Sequence, residues 1–313
     1  LILAPALLAL RGQAWGAPEG ATMADPVNLF REAMAATFGP LDFLPIPDGE
    51  IHRFHVHGDR AGSRNGWYAL HLDGVPVGIF GSWKLDHSTL WSSRQATDYR
   101  EDEQLHQRVE QIKRKREAER IKRQQEAAAD ARLLWFEAGP PAVDHPYLSR
   151  KGCKPHNLRQ SGAVLLVPLY LGRQLVNLQR IYPDGTKRFM PGGRVKGCYS
   201  ALGQLEEGQR IYVCEGWATG ATIHEHTGAA VACAMNSGNL LEVGNYLRLT
   251  YPANPLIVAG DDDRQTDGNP GRTAAERAAI ELGCDVVFPP WSGAEPQGLT
   301  DFNDLRQWRE ANL

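Results

Sequence analysis

Two short apolar runs, each ending at glycine and acid, constrain this chain more than anything else in it. Ile211-Tyr212-Val213-Cys214 runs straight into Glu215-Gly216, and Pro255-Leu256-Ile257-Val258-Ala259-Gly260 into Asp261-Asp262-Asp263. Runs this short, partly β-branched and stopped by glycine beside acid, suit strands of a parallel sheet buried on both faces. Between them lie a helical-looking stretch, Ala218 to Gly228, and a further apolar run, Ala229 to Met235. The order is β-α-β-(α)-β, and ligands of such sheets bind at the carboxyl ends of the strands. One glutamate and an Asp-x-Asp pair therefore meet on one rim. Like charges that close call for a cation between them, and hard divalent ions such as Mg²⁺ take carboxylate oxygen.

Glu215-Gly216 after one strand and Asp261-x-Asp263 after a later one resemble the Toprim domain of primases, topoisomerases and related nucleases. Four ordered motifs narrow the likeness: Val213-Cys214-Glu215-Gly216-Trp217-Ala218-Thr219-Gly220, Ala259-Gly260-Asp261-Asp262-Asp263, Gly268-Asn269-Pro270-Gly271-Arg272 and Asp301-Phe302-Asn303-Asp304-Leu305. Together they are similar to DNA primases of the phage and plasmid type, over the stretch from Ala131 to Leu313. The resemblance implies an α/β Toprim fold, Rossmann-like, with a mainly parallel sheet flanked by helices. It assigns catalysis and metal binding to Glu215, Asp261 and Asp263, with Mg²⁺ or Mn²⁺ as the ion. In bacterial replicative primases another carboxylate follows the Glu-Gly pair by a few residues, where this chain has Trp217, Ala218, Thr219 and Gly220. A second metal would therefore need Asp262 or Asp301. Asp301 also stands where it would cap the last helix, so capping and metal binding are both open for it.

Polymerisation needs cations for a nucleoside triphosphate. Arg180, Lys187, Arg188, Arg194 and Lys196 cluster on a hairpin turned by Pro183-Asp184-Gly185-Thr186 and on the Gly192-Gly193 loop beyond it. In primases of this kind a basic subdomain just before the Toprim sheet fills that role; ordinary surface charge is the alternative. Arg264 and Arg272 flank the polar loop after Asp263 and are further candidates for phosphate, with Thr273 expected to cap the helix that follows.

The rest of the chain is read by composition. Its 34 Lys and Arg against 37 Asp and Glu give a net charge of −3, so it is not a generally basic nucleic-acid binder. Residues 1–22 are apolar at first, start with Leu and carry Arg11 after the apolar run, unlike a secretory signal; they are read as upstream sequence ahead of Met23. Residues 23–93 form a small α+β module, opened by an Asp25-Pro26 helix start, with strand-like runs either side of Asp73-Gly74. No cysteine precedes Cys153, so the zinc ribbon usual at this place has no ligands, and His52, His55 and His57 are read as hairpin residues. Arg53, Arg64, Trp67 and Trp83 mix cations with aromatic faces, a combination that suits single-stranded nucleic acid.

Residues 94–138 read as a charged helical linker, with eight basic against three acidic residues from Arg108 to Arg123, ending at Gly139-Pro140-Pro141. The basic subdomain follows over 139–204 and the Toprim domain over 205–313. Five cysteines without close spacing suit a reducing, cytoplasmic setting. The expected function is synthesis of short RNA primers on single-stranded DNA for a phage, plasmid or integrated element, from nucleoside triphosphates and without a membrane. No G-x-x-x-x-G-K-[ST] motif occurs, so a helicase is expected as a separate partner or on further chain. A metal-dependent nuclease, or a non-catalytic adaptor that binds DNA and recruits a helicase, are the competing readings.

Overall fold

The computed structural model describes residues 25–83 and 87–312; the reading of residues 1–22 lies outside them. By its internal contacts the chain divides into Leu1–Ala118 and Glu119–Leu313, and the division falls inside one long helix.

In the first unit, helix α1 (Pro26–Phe38) starts as the sequence implies. The Asp25 carboxylate accepts from the Val27 N–H at 3.1 Å, and Pro26 occupies the first turn, where its missing N–H costs nothing. Strands β1 (His52–Phe54), β2 (Gly66–His71), β3 (Val77–Ser82) and β4 (His87–Ser92) form one antiparallel meander in that order. The β2–β3 turn places Gly74 at φ 71°, the left-handed conformation that glycine adopts without steric cost. One face of the meander buries Phe30 and Met34 of α1 with Phe54, Tyr68 and Phe80; the other buries Trp67, Ala69 and Ile79. Helix α2 (Tyr99–Glu137) supplies Ile112 to that second cluster.

In the second unit, the end of α2 gives Ala131 to a cluster with Leu166 and Leu178. A short helix α3 (Pro146–Lys151) leads into a second antiparallel sheet, β5 (Arg159–Ser161), β6 (Val164–Leu171), β7 (Gln174–Ile181) and β8 (Lys187–Phe189). The five-stranded sheet that follows carries β9 (Ser200–Leu202), β10 (Ile211–Cys214), β11 (Ala230–Cys233), β12 (Leu256–Ala259) and β13 (Asp285–Val287). Its order is β13-β12-β10-β11-β9, parallel throughout except for β9, which the sequence reading does not include. The mainly parallel, helix-flanked α/β sheet, the β-rich module and the long helix are those the sequence implies.

Helices α4 (Trp217–Thr227) and α7 (Phe302–Ala311) pack together, as do α5 (Leu240–Thr250) and α6 (Pro270–Leu282). Two apolar clusters result. Cys214 and Cys233 point into the one built with α4, while Val213 and Ala232 point into the one built with α5 and α6. Consecutive residues of β10 and β11 thus face opposite cores, and a strand buried on both faces must be apolar throughout.

Gly220 sets how close α4 comes to the sheet. A Cβ there would collide with Cys233 Sγ and crowd Cys214 Sγ. Gly220→Ala is expected to cost about 1–3 kcal/mol, the usual range for overpacking a filled core. Urea denaturation measures this, and a variant as stable as the parent would contradict the packing described.

Candidate active site

The β-α-β order delivers Glu215 from the end of β10 and Asp261 from just beyond β12 to the same carboxyl edge of the sheet. These strands are neighbours in register, Cys214 opposite Ala259. Asp301 arrives from the start of α7, where it does cap the helix: its Oδ1 accepts from the Asp304 N–H at 2.8 Å. Its Oδ2 accepts from Thr219 Oγ1 at 3.2 Å, so a residue of the Trp217–Gly220 stretch, which has no carboxylate of its own, ties Asp301 to α4. Asp263 is held by the start of α6. Its Oδ2 accepts from the Gly271 N–H at 2.9 Å, and a Cβ at Gly271 would stand 2.8 Å from that oxygen.

These carboxyl groups repel one another in a poorly hydrated place. Burial, then Asp301, Glu215 and Asp263, push the Asp261 carboxyl up to about 8. Burial and Asp263 raise Glu215, against a hydrogen bond from the Ser237 N–H, and burial and Asp304 raise Asp301. Asp261 Oδ1 is buried and has no hydrogen-bond partner among the described residues. An orphaned carboxylate oxygen among other carboxylates is costly unless a cation satisfies it. All the donors are hard oxygen, so the set fits a divalent ion of the magnesium class. Among the described residues no three His, Cys, Asp or Glu side chains converge tightly enough to form a ready-made cage.

Asp262 does not join this group. It is buried, and its two oxygens accept from Asn269 Nδ2 at 2.7 Å, Arg272 Nε at 3.0 Å and Trp291 Nε1 at 2.9 Å. The Arg272 bond above all holds its carboxyl down at about 2. Three adjacent aspartates thus divide their labour: Asp261 and Asp263 face the rim and Asp262 faces the loop behind it. That loop also occupies the two arginines read as phosphate ligands. Arg272 bonds Asp262 and Glu276 and lies 3.8 Å from the centre of the Phe288 ring. Arg264 donates to the Pro296 and Leu299 carbonyls and stacks on Trp291 at 4.0 Å. Asn269, not Thr273, caps α6, because Pro270 at the first turn starts the helix earlier than a threonine cap implies.

The basic hairpin is spread out. Lys187, at the start of β8, is the member that reaches the rim, with Asp301, Asp261 and Glu215 as its anionic neighbours. Although the residue as a whole is exposed, burial of its ammonium, and then the nearby Lys151, lower its pKa. Arg180 and Arg188 face each other across β7 and β8. Arg194 bonds the Lys196 carbonyl, and Lys196 pairs with Glu242 at 3.0 Å on the surface. In the first unit Trp67 is a core residue with no exposed face, and Arg116 lies 4.9 Å and 5.3 Å from the Trp67 and Trp83 rings. Arg53 and Arg64 each donate to the other's backbone carbonyl. Trp67 is thereby covered rather than offered to a base, whereas Trp83 is half-buried.

Two contributors escape sequence reasoning. Asn239, buried at the start of α5, donates to the carbonyls of Val195, Cys198 and Ala234 and accepts from the Gly197 N–H at 2.8 Å, fastening the basic loop to the sheet edge. Tyr147 and the basic residues after it on α3 stand beside Lys187, although residues 152–210 separate α3 from β10.

Residues 210–311 match the family model described as the Toprim domain, so the second unit carries a Toprim domain. In sequence the chain is related to DNA primase TraC of Escherichia coli. One such protein is 35% identical over 294 residues, covering 88% of this chain and 28% of that protein. A second, of the same name and organism, is 33% identical over 264 residues, covering 80% and 18%. The chain therefore spans less than a third of the length of either relative. Among solved structures, the DnaG catalytic core overlaps 61% of this chain and 76% of its own at 12% identity, with a TM-score of 0.37.

The raised Asp261 carboxyl has a consequence for stability. An unfolded chain ionises this group near its ordinary 3.8, the metal-free folded chain only near 8. Between those values the folded state binds more protons, so stability is full below about pH 4 and is lost as pH rises through 8. Asp261→Asn is expected to stabilise the metal-free protein by about 1–3 kcal/mol at pH 8 and to flatten that decline. Thermal or urea unfolding in chelator across pH 5–8 measures it; a variant less stable than the parent at pH 8 would contradict the crowded-rim account.

Proposed function

We propose that this chain is the catalytic part of a DNA primase, joining ribonucleotides into short primers on single-stranded DNA for a phage, plasmid or other mobile element. The observation that carries the reading is the company kept by Asp261: an unsatisfied buried carboxylate oxygen among Glu215, Asp263 and Asp301, with Lys187 at the edge. A nuclease needs the acids, whereas a polymerase needs the acids and a cation for the triphosphate. The relation to proteins described as DNA primases supports the same choice.

In this reaction the 3′-hydroxyl of one nucleotide attacks the α-phosphorus of the next triphosphate and pyrophosphate leaves. Asp261 and Asp263 are the residues to hold Mg²⁺ or Mn²⁺, with Glu215 completing the set. When bound, such an ion neutralises phosphate charge and lowers the pKa of the attacking hydroxyl. Glu215, whose proton affinity is raised by burial, is placed to accept that hydroxyl's proton. Asp301 is held by Thr219 and by its own helix, and so keeps its carboxyl group beside Asp261 without having to move. Lys187 offers its ammonium to the β- and γ-phosphates.

The template is supplied as a single strand by a replicative helicase on a separate chain or a separate part of a longer one. Five free cysteines suit a cytoplasmic setting, and among the described residues no helix is long and apolar enough to cross a membrane.

Labelled ribonucleotides, single-stranded DNA and Mg²⁺ or Mn²⁺ test the reading. Short labelled products are expected, and Asp261→Ala should reduce them at least about a hundredfold, the scale of losing a transition-state charge partner. Lys187→Met should raise the KM for nucleotide more than it lowers kcat. Metal-dependent shortening of the DNA with no labelled product would overturn the proposal in favour of a nuclease.

A further inference from the structure

Asp262 is buried to 4% exposure, and its bonds run to the segments that carry its acidic neighbours. Its main-chain N–H donates to the Thr300 carbonyl at 2.7 Å, one residue before Asp301. Its carboxylate holds the loop that carries Asp263. Asn269 Nδ2 donates to Asp262 Oδ1 at 2.7 Å, and the Oδ1 of the same amide accepts from the Asp263 N–H at 2.8 Å and the Arg272 N–H at 3.3 Å. One amide group thus joins Asp262, Asp263 and the start of α6, where the Gly271 N–H holds the Asp263 carboxylate. On the other side, Asp262 Oδ2 accepts from Trp291 Nε1 at 2.9 Å. The Arg264 guanidinium stacked on that indole donates to the Leu299 carbonyl at 3.2 Å, on the approach to Asp301.

Two features show that this arrangement is imposed on the loop. Asn269 has φ 41°, a left-handed conformation that residues with a side chain adopt sparingly and that persists where the surroundings over-determine it. The donors around Asp262 also demand an acceptor on each of its oxygens, Asn269 Nδ2 and Arg272 Nε at Oδ1 and Trp291 Nε1 at Oδ2. An asparagine of the same shape has one acceptor oxygen, so its amide nitrogen would face a donor on one side or the other. Hydrogen bonding alone therefore calls for a carboxylate here, with no ion at Asp262 itself.

We infer that Asp262 is a positioning residue: through Asn269, Trp291 and Thr300 it sets where Asp263 and Asp301 stand relative to Asp261, and so sets the affinity of the rim for a divalent cation. It acts through the other carboxylates. The inference rests on the proposed function only in taking the rim as the metal site, and its test needs neither nucleotide nor DNA.

Mn²⁺ is titrated into the full chain and the unbound ion is read by electron paramagnetic resonance. Asp262→Asn keeps the side chain's size and should weaken Mn²⁺ binding about 10- to 100-fold, the usual scale for losing a partner that orients metal ligands. Trp291→Phe keeps a ring beneath Arg264 and alters no charge; it should weaken binding about threefold or more through loss of the bond to Oδ2. Leu247→Ala loosens the core under α5, away from the rim, and should bind within about twofold of the parent. Circular dichroism and melting establish that each variant is folded, and if Asp262→Asn is not, Trp291→Phe decides. Parent affinity in Asp262→Asn overturns the inference. So does a loss in Asp262→Asn with none in Trp291→Phe, because removal of a nearby negative charge would then suffice, and so does an equal loss in Leu247→Ala, which would mark general loosening. A parent that binds no Mn²⁺ overturns it together with the metal site. Mn²⁺ binding that depends on Asp262 and Trp291 in a protein that makes no primers leaves the inference standing and refutes the primase reading alone.

Discussion

Mutual repulsion among carboxyl groups at one edge of a parallel sheet is the constraint on which the rest of this structure depends. The sheet brings Glu215 and Asp261 to that edge because β10 and β12 are adjacent and in register. Helix starts bring the others, α6 holding Asp263 through the Gly271 N–H and α7 presenting Asp301 as its own cap. Each arrangement is ordinary locally. Their convergence is not, because burial and proximity together raise the proton affinity of Asp261, Glu215 and Asp301 in the absence of a cation. A fold that accepts this cost does so where function requires charge.

The neighbouring elements follow from that requirement. Asp262, between two rim carboxylates, is turned away and neutralised by Arg272, Asn269 and Trp291, so the chain turns at β12 without adding a further charge to the rim. Gly220 and Gly260 remove side chains where α4 and α6 press on the strands; a Cβ at Gly260 would meet Ala275 and Phe288. Asn239 fastens the loop after β8 to the sheet edge by four hydrogen bonds. Positive charge enters from outside the parallel sheet, through Lys187 of β8 and the basic residues of α3.

How much of this was legible in the sequence differs by residue for physical reasons. The strands before Glu215 and Asp261 could be read because a strand buried on both faces must be apolar along its length, and its abrupt end in acid marks the rim. The cap at Asp301 and the turn at Asp73-Gly74 were legible because capping and turn chemistry are local. Asp262, Arg264 and Arg272 were not separable from their functional neighbours, since which way a side chain points out of an irregular loop depends on Trp291, Phe288 and Asn269, distant or unpatterned in sequence. Trp67 read as a stacking platform because alternation identifies a strand face but not what covers it; Ile112 and Arg116 of α2 cover it. Tyr147 and β9 were missed for the same reason, as their partners lie far along the chain.

The measurement that bears most directly on the central claim is the number of protons released when Mn²⁺ binds, followed by calorimetry in buffers of different ionisation enthalpy. With the Asp261 carboxyl near 8, about one proton should leave on binding at pH 7, falling toward none by about pH 9.5. Asp261→Asn should abolish most of that release. Metal binding at pH 7 without proton release would contradict the account, for it would mean that the rim carboxylates are already ionised without a cation and that repulsion among them does not organise the site.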